Sequence, residues 1–156
     1  MNDTTLREHI AGLLAGKGAH LDLQTALTQY PGSIAGSRIP GVSHTPWRLL
    51  EHLRIAQWDI LEFSRSADHV SPSFPDGYWP ETESPPTASA WGRSVRSFLA
   101  DLEEMHGLVM DPATDLFARI PWGDGQTVLR EALVLADHNS YHLGQLILIE
   151  KALRRR

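Results

Sequence analysis

With 156 residues, 42% of them hydrophobic and 21% charged, the chain holds enough apolar material for one domain with its own core, spanning 1–156. Its net charge of −5 argues against a nucleic-acid binder, whose surface carries a basic face. The absence of cysteine excludes disulfides and thiolate metal sites, so a transition metal would have to be held by nitrogen and oxygen.

Met1 to Thr5 shows no basic stretch leading into an apolar core, and no apolar run approaches the ~20 residues of a membrane span. A cytoplasmic protein without membrane contact is therefore expected. An amphipathic helix is predicted from about Thr4 to Ala15, with Leu6, Ile10, Leu13 and Leu14 on one side, ending at Gly16 and Gly18. A second short helix begins near His20 and ends before Pro31, and the two read as one interrupted arm. Pro31 to His44 is a Pro-, Gly- and Ser-rich connector.

Thr45-Pro46 is a strong helix start, since Thr caps free N–H groups and Pro at the first position loses no hydrogen bond. The helix from Pro46 to about Ser66 carries Leu49, Leu53, Ala56, Ile60 and Phe63 on one stripe, with His52 at its edge. Asp68 to Pro86 is a long loop holding Phe74, Tyr78 and Trp79, read either as a binding loop or as an ordered cover. A further helix runs from about Thr87 to Met110, its inner face marked by Trp91, Val95, Phe98, Leu102 and Met105. After a connector containing Pro121-Trp122-Gly123, Thr127 caps the last helix, which runs to about Leu153. Its basic end, Arg154-Arg155-Arg156, suits the negative pole of the helix or a solvated tail.

These elements predict an all-α, four-helix bundle with long connecting loops and no strands. The last helix is apolar nearly all round, with Leu129, Leu133, Leu143 and Ile147 opposite Val134, Leu135, Leu146 and Ile149. Together with Ile55 and Trp58, which point away from the stripe of their own helix, this predicts a homodimer interface.

The chemistry rests on histidine. His138 and His142 are four residues apart, so both rings leave one face of the last helix. Two imidazoles in an apolar stripe each need a polar partner, and one metal ion serves both. His52 is the candidate third ligand. Three neutral imidazoles leave a divalent ion its charge and at least one open position, the arrangement of a catalytic rather than a closed structural site. Zinc fits this set, and nickel, iron, cobalt and manganese are compatible with it.

His106 is the main rival ligand; His9, His44 and His69 read as surface or loop residues, and nothing in the spacing demands His20. Glu131 and Gln145, each seven residues from His138, share its face and are candidates for catalysis or for orienting ligands. Asp59, Asp137, Asn139 and Tyr141 are weaker candidates for the latter role, and Trp122 for the pocket rim. No Gly-rich phosphate loop, HExxH or GxSxG is present.

Leu49-Leu50-Glu51-His52-Leu53 and Ala136-Asp137-His138-Asn139-Ser140-Tyr141-His142-Leu143-Gly144-Gln145, on helices so spaced, resemble the DinB/YfiT-like superfamily, particularly its DinB-like branch. The resemblance spans nearly the whole chain. It implies a bundle, commonly dimeric, with a divalent metal ion on His52, His138 and His142. It also implies a metal-dependent enzyme that activates a low-molecular-weight thiol or water to attack a small electrophilic substrate, as a thiol S-transferase or hydrolase. The alternative is a non-catalytic dimeric metal-binding or stress-response protein.

Overall fold

The computed structural model describes residues 3–154, and every statement below concerns those residues. Met1, Asn2, Arg155 and Arg156, with part of the leader and basic-tail readings, lie outside them. The architecture is all-helical: α1 Thr4–Leu14, α2 Leu23–Gln29, α3 Pro46–Arg65, α4 Ala90–Met110 and α5 Val128–Arg154. Single 3-10 turns form at Gly32–Ile34 and Asp76–Tyr78. An isolated bridge between Arg119 and Thr127 is the only β-type pairing among the described residues. No helix is long and apolar enough to cross a membrane.

The helix ends follow their local chemistry. Asp22 Oδ1 accepts from Thr25 N at 2.8 Å, and Thr45 Oγ1 accepts from Arg48 N at 3.3 Å. Thr127 Oγ1 accepts from Arg130 N at 3.1 Å. Gly16, at φ 72°, takes the left-handed conformation that closes α1. α4 begins three residues later than the sequence predicts, at Ala90 rather than Thr87.

Two buried clusters divide the interior and fix the helix directions. One joins α2 to Leu50 and Leu53 of α3, Trp91 and Phe98 of α4, and Leu143 and Ile149 of α5. The other joins Ile10 and Leu14 of α1 to Leu61 of α3, Met105 and Val109 of α4, and Val128 and Leu135 of α5. The starts of α3 and α4 therefore share one end of the molecule with the finish of α5. α3 and α4 run parallel, α5 runs against them, and α1 with α2 forms a broken fourth helix in the direction of α5.

Parallel neighbours cannot be joined by a short turn. A twenty-residue helix is roughly 30 Å long, so the chain leaving α3 must travel back that distance before α4 can start. The long segment between Arg65 and Ala90 makes this return as a strap along α3, read off its contacts in order. His69 Nε2 donates to Asp59 Oδ1 at 2.7 Å and Tyr78 OH to Asp59 Oδ2 at 2.6 Å. Trp79 stacks on His52. Trp47 Nε1 donates to Thr82 Oγ1 at 3.0 Å, and Thr45 Oγ1 donates to the Glu83 carbonyl at 2.7 Å. The loop is thus an ordered cover fastened along its length.

The two apolar flanks of α5 are not covered all round within the chain. Leu143, Leu135, Leu146 and Ile149 are buried, but Leu133 and Val134 are 44% and 37% exposed. Leu133 and Val134 lie with the exposed Tyr141 and Leu148 on a strip of α5 between its two buried flanks.

Thr45 is fully buried, caps α3 and anchors the end of the strap. Thr45→Ala is expected to destabilise the fold by about 1–2 kcal/mol in urea denaturation, with Thr45→Ser close to wild type. An alanine variant as stable as wild type would remove this role.

Candidate metal centre

His52 lies two turns into α3, and His138 and His142 lie one turn apart in the middle of α5. Because α3 and α5 are antiparallel neighbours, the three side chains meet between them. One ring nitrogen from each lies within 4.8 Å of the other two. His138 Nε2 and His52 Nε2 are 3.0 Å apart. Ligand nitrogens of a tetrahedral ion, each at about 2.0–2.1 Å, stand roughly 3.3–3.4 Å from one another, so this edge is near metal-ligand spacing. The rings are steeply inclined to one another, at 65°, 85° and 67°, as three ligands converging on a point must be.

The partners outside the cluster fix which nitrogen faces inward. The Tyr78 carbonyl can only accept, so His52 Nδ1–H donates to it at 2.9 Å, and the Nε2 of the neutral ring keeps its lone pair. Likewise His142 Nδ1–H donates to Gln145 Oε1 at 2.8 Å. Lone pairs turned inward with N–H groups held outward by oxygen is the arrangement that suits imidazole to a metal ion. His138 Nδ1 and Asn139 Oδ1 are buried without hydrogen-bond partners. The donor set and its orientation therefore fit a divalent cation.

Burial holds all three imidazoles neutral. It pushes His138 down to about 4, with the nearby His142 and His52 adding to the effect. Burial also lowers His52, outweighing the Tyr78 carbonyl, and lowers His142 against the opposing hydrogen bond from Gln145. Neutral rings are what a metal ion needs, because protonation removes the ligand lone pair.

Of the remaining candidates, Gln145 reaches the centre through His142. Glu131 is buried, but its carboxylate accepts from Arg130 at 2.6 Å, two turns along α5 from His138. Asp59 acts through Tyr78, binding its hydroxyl while the Tyr78 carbonyl binds His52. Asn139 donates to Gln57 Oε1 at 2.9 Å, and Gln57 donates to the Phe98 carbonyl, which ties α5 through α3 to α4. The edge of Tyr141 meets His142, while Asp137 is exposed. Trp122 does not rim the site: its Nε1 donates to the Phe63 carbonyl near the far end of α3. His106 lines a cleft between α1 and α4, so the rival ligand lies elsewhere. His9 and His20 are exposed.

Two histidines expected as surface or loop residues, His44 and His69, do lie in loops and are also part of the surroundings of the site. His69 is clamped to Asp59. His44 stacks on Trp79 at 4.0 Å, and Trp79 stacks on His52 at 3.9 Å, giving a three-ring column. Burial lowers His44 as well. Sequence reasoning missed both because each lies in a segment without periodicity. The nearest available signal was His44 directly preceding the Thr45 cap.

No protein-family model matches the chain, and no curated protein or solved structure matches it at a significant level.

In metal-free protein, the depressed His138 pKa means that the unfolded chain binds a proton more readily than the folded one. Stability is therefore full above the ordinary value of 6.5 and is lost as the pH falls toward about 4. Urea midpoints measured across that window are expected to fall more steeply for wild type than for His138→Gln. Equal slopes would place the acid sensitivity elsewhere.

Proposed function

We propose that His52, His138 and His142 hold one divalent metal ion, zinc or nickel being the best matched and iron, cobalt or manganese compatible. We further propose that the chain is a DinB-like metal-dependent enzyme, a thiol S-transferase or hydrolase acting on a small electrophile with a low-molecular-weight thiol or water. The observation that carries the reading is the convergence of three neutral imidazoles, two of which, His52 and His142, already have their outer N–H groups bound by oxygen. The all-helical bundle and the two histidine-bearing helices also support kinship with the DinB-like branch.

A divalent ion in such a site supplies Lewis acidity and makes a thiol or water easier to deprotonate at neutral pH. The chain's own residues do the rest. The Tyr78 carbonyl and Gln145 hold two rings in one tautomer and orientation, which keeps the ligands from having to reorganise. Trp79 lies flat on His52, restricting its rotation and keeping water from that face. Three protein ligands leave room for a further one, which is the opening that catalysis requires. The exposed Trp58, Leu133 and Val134 support a homodimer as part of the same reading.

Untagged protein analysed by inductively coupled plasma mass spectrometry is expected to carry close to one ion per chain. His52→Ala and His138→Ala should each lose it while keeping their helical circular dichroism. Wild type that stays metal-free after reconstitution with zinc, nickel and manganese would overturn the proposal. Gln145→Leu removes only the acceptor behind His142, so it should bind metal roughly 10–100-fold more weakly. Unchanged affinity in a competition titration would show that Gln145 does not orient the ligand.

A further inference from the structure

A cleft of about 590 Å³ lies between the connector that precedes α3 and the last turns of α5, and reaches the histidine centre through Gln145, the partner of His142. Ile39, Val42, Leu148 and Ala152 are among its apolar walls, and no Asp, Glu, Lys or Arg lines it. The polar side chains that line it are those of Ser43, His44 and Gln145. Gln145 is the wall shared with the centre, since its Oε1 accepts from His142. The Gln145 amide nitrogen makes no hydrogen bond among the described residues. His44 Nδ1 is buried and has no partner. Leu148, 68% exposed, and Val42 hold apolar surface in water at the margin.

We propose that this cleft binds a neutral, predominantly apolar small molecule whose polar group is met by His44 and Gln145. The volume is that of a small-molecule site, and an apolar lining with a few placed polar groups is the usual composition of one. A charged ligand would lose its hydration here with no opposite charge to replace it. The second sizeable cleft, about 520 Å³ between α1 and α4, differs in kind. It is lined by Glu8, Lys17, Asp22 and Glu103, and none of the buried unpartnered polar atoms belongs to it. As the seat of the electrophile, the cleft beside the histidines rests on the metal-dependent reading above. As an apolar binding site it stands on its lining alone.

Prodan, a neutral naphthalene fluorophore, tests the proposal by fluorescence titration. Three variants accompany wild type. Ala152→Trp fills the cleft, and Leu148→Glu places a charge at its margin, where a largely exposed side chain can change without disturbing the core. Gly12→Leu occupies the α1–α4 cleft, where an added Cβ meets no atom within 4 Å. Wild type should bind one prodan per chain with blue-shifted emission. Ala152→Trp and Leu148→Glu should each weaken binding by about tenfold or more, and Gly12→Leu should leave it unchanged. Absence of saturable binding, binding indifferent to the first two changes, or binding lost in Gly12→Leu would overturn the assignment. Metal content is measured in the same samples. An ion without prodan binding removes the cleft and leaves the metal reading, while prodan binding without an ion does the reverse.

Discussion

The structure depends on one topological constraint, the parallel run of α3 and α4. A chain that leaves α3 at one end and must start α4 at the other has to be carried back along the bundle. That return is ordered only if its backbone and side chains find partners, because fixing each residue costs about 1–2 kcal/mol of conformational entropy. α3 supplies them at intervals: Asp59 for His69 and Tyr78, His52 for Tyr78 and Trp79, Trp47 for Thr82, and Thr45 for Glu83. The histidine cluster sits under the middle of this strap. Covering the site and connecting the helices are therefore the work of one segment.

The cover also sets the electrostatics. Imidazoles at the surface would titrate near their ordinary value, and three of them this close would repel one another when protonated. Beneath the strap their charged forms lose hydration, so all three are depressed. The strap also supplies the Tyr78 carbonyl that fixes the His52 tautomer. A buried polar cluster is costly unless its groups are engaged, and His138 Nδ1 and Asn139 Oδ1 remain unengaged beside the others. On the metal-dependent reading, the unengaged His138 Nδ1 and Asn139 Oδ1 are a local cost accepted in exchange for the site.

How much of this was legible in the sequence varies with the physics involved. Helices are local: the Thr45-Pro46 start, the Thr127 cap and the apolar stripes put α3 and α5 within a residue or so of their observed ends. The His138–His142 pair follows from helical pitch, and His52 from its place at the edge of a stripe. The strap is not local. Its contacts join residues ten to nearly forty positions apart, so neither His69 nor His44 shows a pattern that marks it as part of the surroundings. The same holds for Glu131 and Gln145. A helical wheel gives both the same face, yet the axial distance and the Arg130 pairing separate them in space. Helix direction was also invisible, because apolar periodicity is the same whichever way a helix runs.

The handling of nearby carboxylates bears on why the set is nitrogen-only. Asp59 shares the His52 face of α3, but both of its oxygens are occupied, one by Tyr78 and the other by His69. Glu51, next to His52, is held by a two-pronged contact from Arg54. Glu131 is held by Arg130. These three acidic side chains are thus committed elsewhere by charge-assisted hydrogen bonds. On the metal-dependent reading, a nitrogen-only set would leave a bound cation its full positive charge and strengthen its effect on a thiol or water more than a mixed nitrogen–carboxylate set would. The uncharged cleft beyond Gln145 continues the same pattern, since no fixed anion there competes for the cation. On the metal-dependent reading, the neutrality of the surroundings is what reserves the ion's charge for the reacting group.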